Sequence, residues 1–167
     1  YALVEGRPTV VQLPAAAIRE LFRDVTGLIE PTGTGVPVAD VGVIRISGPL
    51  GEFNLVREIT LTGRRWLARE FDDQPVDSGL VDELLEQLTT LRAGGIELMP
   101  YPQDLEVAVI SLFRDDLAPL DTVRIARDPQ SGNWAMENGD DVLRVFPASL
   151  QLRLVPQDYG LPPLESP

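Results

Sequence analysis

Between Leu80 and Leu91 apolar residues recur at the period of an α-helix, and this stretch constrains the fold more than any other. Leu80, Val81, Leu84, Leu85, Leu88 and Leu91 fall at i, i+1, i+4, i+5, i+8 and i+11, forming one broad stripe. Asp82, Glu83, Glu86, Gln87, Thr90 and Arg92 take the other face. Asp77 or Ser78 is placed to accept backbone N–H groups as N-cap. Gly94-Gly95 is placed to end the helix, because glycine enters the left-handed C-cap conformation at little cost. A stripe this wide must be buried, and the strands flanking it predict a sheet as its partner.

Three strands precede the helix, over residues 41–47, about 53–61 and 64–71, with Gly48-Pro49 and Thr62-Gly63 as turns. In the third, alternation puts Trp66 and Ala68 on one face and Arg65, Leu67 and Arg69 on the other. Trp66 is expected to anchor the sheet to the helix. Residues 72–78 read as an acidic loop containing Pro75. Beyond the helix, Tyr101-Pro102-Gln103-Asp104 is a connector, and 105–113 is apolar on both faces, as in a buried inner strand. Strands are predicted at 121–127, at 133–138 around Trp134, and at 142–146 after the Asn138-Gly139 hairpin signal. Residues 148–154 read as a short helix and 162–167 as a loose tail.

The N-terminal 40 residues read as an arm, a helix and a linker. Residues 9–13 are extended; Pro14 opens a helix that buries Ile18, Leu21, Phe22 and Val25; residues 30–40 connect. Gly33 and Gly35 lack the strand–GxGxxG–helix context of a phosphate loop, so a plain connector is expected.

The strands and helix of 41–98 echo in 99–161. The predicted fold is therefore α+β: two related antiparallel β-sheet units, each backed by a helix, in a degenerate internal repeat. Trp66 and Trp134 should occupy comparable positions.

Composition removes much chemistry. All 14 basic residues are arginine, and there is no Lys, His or Cys. That excludes a thiolate nucleophile, an imidazole base, a Schiff-base lysine and the usual structural zinc site. The six serines have no His or Lys to activate them. A net charge of −12 disfavours nucleic acid as a partner. No window reaches the roughly 18 apolar residues of a membrane span. No catalytic residue, metal or cofactor is expected.

The order of elements resembles a family of bacterial domains, domain of unknown function 4340, over about residues 41–161. The resemblance rests on Leu55-Val56-Arg57-Glu58, Trp66-Leu67, residues 76–91, residues 122–125 and residues 142–146. Tyr159-Gly160-Leu161 is similar to the family's Tyr-Gly-Leu repeat junction, whereas 98–105 departs from it. The resemblance implies an extracytoplasmic domain behind an N-terminal membrane anchor, in some relatives beside ABC-transporter components. It carries over no catalytic residue. The chain opens on Tyr1 rather than Met, and an anchor or signal segment is expected just before it.

Two constellations stand out. Arg64, Arg65 and Arg69 gather around Trp66 as a candidate partner-binding surface, with Glu58 and Glu70 as competing intramolecular partners. The pairs Asp72-Asp73, Asp115-Asp116 and Asp140-Asp141 read as turn residues, and Asp128 to Asn133 only faintly approaches a calcium loop. The expected function is a non-catalytic accessory or protein-interaction domain of a membrane-anchored bacterial protein. It would lie on the periplasmic side of the inner membrane and bind a protein or envelope component, such as a transporter complex. The alternative is a carboxylate-only hydrolase of envelope glycans, which needs two acids in one cleft.

Overall fold

The computed structural model describes residues 2–3, 10–11, 29–61 and 63–164. The chain divides into two compact units after Glu30. In the first, β1 (Ala2–Leu3) pairs antiparallel with β2 (Val10–Val11), inside the segment expected to be extended. The helix expected from Pro14 lies outside the described residues.

The second unit is built on nine strands. They are β3 (Val43–Gly48), β4 (Gly51–Thr60), β5 (Gly63–Ala68), β6 (Gln74–Val76), β7 (Gly95–Glu97), β8 (Glu106–Phe113), β9 (Pro119–Arg127), β10 (Trp134–Glu137) and β11 (Leu143–Phe146). They form one sheet in the order β6-β5-β4-β3-β8-β9-β10-β11-β7, with every neighbouring pair antiparallel. One α-helix, α1 (Ser78–Thr89), is present among the described residues.

This corrects the expected pair of sheet units, each with its own helix. β3 joins β8 directly, from Val43↔Phe113 to Ser47↔Val109, so both halves run into a single sheet. Two separate units would leave β3 and β8 as edges with open N–H and C=O groups, and pairing them removes both edges. The second helix is also absent. Leu150-Gln151-Leu152-Arg153-Leu154 has a period of two, and its three leucines pack against the core from an extended strap. Side chains hold that strap's backbone: Trp134 Nε1 donates to the Leu150 carbonyl (2.9 Å) and Gln87 Nε2 to that of Gln151 (3.2 Å).

One face of the sheet carries the core. Ile44 and Ile46, Phe53 and Leu55, Trp66 and Ala68, Ile110 and Leu112, Val123 and Ile125, and Met136 are all buried there. Val81, Leu84, Leu85 and Leu88 of α1 close over it, and each fully buried leucine contributes about 1.5–3 kcal/mol. Asp77 is the N-cap, accepting from the Gly79 N–H at 2.8 Å. The helix ends before the glycine pair, because Ala93 N–H is drawn to the Pro31 carbonyl and Gly94 N–H to Val145 of β11. Leu91, on the predicted stripe, is left exposed.

Residues 31–36 do more than connect. Thr32 and Thr34 are buried, and the Thr34 N–H donates to the Leu88 carbonyl at the end of α1 (2.9 Å). Gly33 lies so close that a Cβ would meet Met136 Sδ at 2.9 Å. Tyr159-Gly160-Leu161, which carried part of the family resemblance, is a packing motif. Tyr159 and Leu161 are buried, the tyrosine ring meets Phe53 edge-on at 6.0 Å, and Gly160 takes φ +74°. Leu164, expected in a loose tail, packs on the core.

Candidate binding site

The three arginines singled out in the sequence do not form one surface. Arg64 reaches across to Asp82 of α1 (3.2 Å), Arg65 pairs with Glu58 on the opposite face, and Arg69 bonds Asp73 (2.8 Å) in the turn after β5. Glu70 is engaged elsewhere, by the Asn54 N–H at 2.7 Å.

The acidic pairs lie on three different turns, and one member of each holds an arginine. Asp73 holds Arg69, Asp115 holds Arg57 (2.7 Å) and Asp140 holds Arg144 (2.6 Å). The Arg144 guanidinium donates to Asp140 and holds its carboxyl below the ordinary value of 3.8, against a smaller opposing effect of burial. A glycosidase acid needs the opposite shift. Asp115 and Asp116 do share an open cleft of about 480 Å³ with Asp40, Arg57 and Arg114. There Asp115 is tied to Arg57 and Asp116 accepts the Ala118 N–H at 3.0 Å, so both serve the turn.

The Asp128 loop closes on itself. Its carboxylate accepts from the Ser131 hydroxyl and from the N–H groups of Gln130 (2.9 Å) and Ser131 (3.2 Å). The Ser131 hydroxyl is the main reason its pKa is lowered. Among the described residues no three acids gather as metal ligands.

Eight of the described arginines hold a carboxylate: Arg45, Arg57, Arg64, Arg65, Arg69, Arg124, Arg144 and Arg153. On the face away from α1, Arg124 also lies 4.0 Å beneath the Tyr101 ring while bonding Glu106 (2.9 Å). Burial is the chief cause that raises the Tyr101 pKa. Arg92 and Arg114 hold no carboxylate among the described residues, yet each lines a hollow beside acids. Arg127 is different.

Arg127 ends β9, directly across from Trp134 on β10, and its guanidinium lies 4.8 Å from the centre of the indole. Both side chains border an apolar groove of about 300 Å³ at the end of the sheet where β3 turns into β4. It is lined by the turn Gly48-Pro49-Leu50-Gly51, by Leu154, Val155, Pro156 and Leu164, and by Phe53, Val107 and Trp134. Among the described residues, no acid lines it. Leu50 stands 71% exposed at its lip. Gly51 (φ +124°) allows Leu164 to approach, since a Cβ there would come within 2.9 Å of its Cδ1. A size near 300 Å³ is at the lower end for small-ligand sites.

A second hollow, of about 290 Å³, lies on the sheet's other face. Ala126 and Ala135, directly opposed, lower its floor, and Met99, Pro102 and Leu105 overhang it. Glu97 and Asp128 border this one.

Sequence reasoning named none of the groove residues as a site. Trp134 was placed only in the 133–138 strand, at a position comparable to Trp66, and Arg127 only at the end of the 121–127 strand. Comparison with known protein families, with curated proteins and with solved structures finds no match for this chain.

Proposed function

We propose that this chain is a non-catalytic binding domain that takes up an apolar group of a protein or envelope component in the groove between the β3–β4 turn and the strap. The observation that carries the reading is the groove itself. It is lined almost wholly by carbon, and an exposed leucine stands at its rim. Leaving such surface open to water costs free energy in the unbound chain, which a partner's apolar group recovers. The resemblance to domain of unknown function 4340 supports the setting: an accessory domain outside the cytoplasmic membrane of a bacterium, behind an anchor and in company with membrane proteins. The hydrolase alternative has less behind it, since one carboxylate of each acidic pair is bound to an arginine and all three pairs sit in turns.

The test is amide and indole NMR of the whole chain titrated with 1-octanol, a neutral apolar probe. Saturable shifts confined to Leu50, Val107, Trp134, Val155 and Leu164 are expected, and they should vanish in Leu154→Asp. Shifts scattered over the surface would reject the groove as a site. Release of reducing ends from envelope glycans would instead establish the hydrolase.

A further inference from the structure

We infer that the natural occupant of this groove is a medium-chain aliphatic carboxylate, its alkyl chain lying between Leu50 and Leu154 and its carboxylate held by Arg127. The inference rests on the groove being a binding site, and it adds the ligand's chemistry.

Charge decides the head group. The chain carries 26 acidic residues against 14 basic ones, so an average surface repels anions. This groove reverses that balance locally, with one arginine and no acid among the described residues of its lining. Among the described residues no carboxylate stands within ion-pair distance of Arg127, whereas eight other arginines are so held. Its Nε donates to the Gly132 carbonyl at 3.4 Å, and its Cζ lies over the Trp134 ring. These two contacts pre-orient the guanidinium, leaving its terminal N–H groups to grip a carboxylate in the two-pronged geometry arginine favours. A phosphate dianion would bring a second charge into this acidic field with no second cation to meet it.

Shape decides the tail. A cavity of about 300 Å³ lined almost wholly by carbon suits a flexible chain of moderate length. The molecule already shows how such a group sits there: the isobutyl end of its own Leu164 lies against Gly51, where any Cβ would clash. An incoming alkyl chain follows the same contact and displaces or extends past that leucine.

The experiment is calorimetric titration of the whole chain with sodium octanoate, 1-octanol and a short acetylated peptide ending in Leu-Leu with a free carboxylate. Trp134 emission is followed in parallel. Octanoate should bind saturably, at least about tenfold more tightly than 1-octanol, and perturb Trp134. Arg127→Gln should remove that advantage, bringing octanoate affinity down to that of 1-octanol. Leu164→Ala should bind octanoate at least as tightly as the parent. Octanoate binding no better than 1-octanol, or unchanged in Arg127→Gln, overturns the ligand assignment while leaving the groove as an apolar site. Tight peptide binding with none by octanoate overturns it in favour of a protein C-terminus. Absence of binding by all three removes both the ligand assignment and the groove reading.

Discussion

The three Asp-Asp pairs look alike in sequence, yet the structure gives them unequal energetic weight, and a matched substitution series measures the difference. Replacing Asp140, Asp115 and Asp73 singly by Asn removes one charge in each case and keeps the side-chain shape. Asn also tolerates the left-handed backbone of Asp73 (φ +55°), so strain is not added there. Relief of the chain's general negative repulsion is similar in all three and cancels in the comparison. What differs is the arginine left behind.

Arg144 is only 2% exposed, and Asp140 meets it with two bonds of 2.6 and 3.0 Å. Stranding a buried guanidinium costs about 3–5 kcal/mol in full burial. Here Asp140 is itself 40% exposed, and the Val142 carbonyl still accepts from Arg144, so about 2 kcal/mol is expected. Arg57 is 11% exposed and keeps its bond to the Ala39 carbonyl, and losing Asp115 should cost about 1 kcal/mol. Arg69 is 61% exposed, and losing Asp73 should cost less than about 0.5 kcal/mol. Urea denaturation with a common m-value resolves steps of this size. Equal losses, or Asp73→Asn as the most damaging, would refute the argument that burial of the arginine sets the cost.

Leu88→Ala should destabilise by about 2–5 kcal/mol and Leu91→Ala by less than about 1, because the first is fully buried and the second lies beyond the helix end and is 37% exposed; parallel denaturation curves check this. For pH, the folded Asp140 carboxyl titrates below its ordinary 3.8, so the folded state releases the proton more readily than the unfolded chain. Its contribution should be complete at neutral pH and disappear as pH falls from about 4 through the folded value. In Asp140→Asn the melting temperature should fall less steeply over that window than in the parent.

How legible the fold was in the sequence depended on whether local pattern or long-range pairing decided each element. The apolar stripe of α1 is local and could be read directly, and local signals narrowed its N-cap to Asp77 or Ser78, of which the structure uses Asp77. Most strand positions of the sheet were local as well; the two edge strands were missed, β6 because Pro75 masked a strand that tolerates a missing N–H at the sheet's edge, and β7 because Gly95–Glu97 is only three residues long and begins on a glycine read as a helix stop. The pairing of β3 with β8 links Val43 to Phe113, and nothing in either strand's own sequence states which edge it will meet. The end of α1 was misread for the same reason. Gly94 is suited to a cap, but the chain leaves the helix earlier to reach Pro31 and Val145, which lie far off in sequence. The strap was a true misreading of a local signal: Leu150, Leu152 and Leu154 alternate with period two, which rules against a helix.

The candidate site was hidden because its chemistry depends on what surrounds Arg127 rather than on Arg127. In sequence it is one arginine of 14, and less conspicuous than the Arg64-Arg65 pair. In the fold, that conspicuous pair is neutralised by Asp82 and Glu58, and such exposed pairs contribute little energy and leave little field for a ligand. Arg127 keeps its field because β9 ends beside an apolar wall, and its immediate neighbour Asp128 spends its carboxylate on Gln130 and Ser131 within its own turn. An arginine cluster in a strongly acidic chain therefore marks where charge is cancelled. The place to look for a ligand is the cation that the fold has kept from its carboxylates, and in this groove a single arginine has that position.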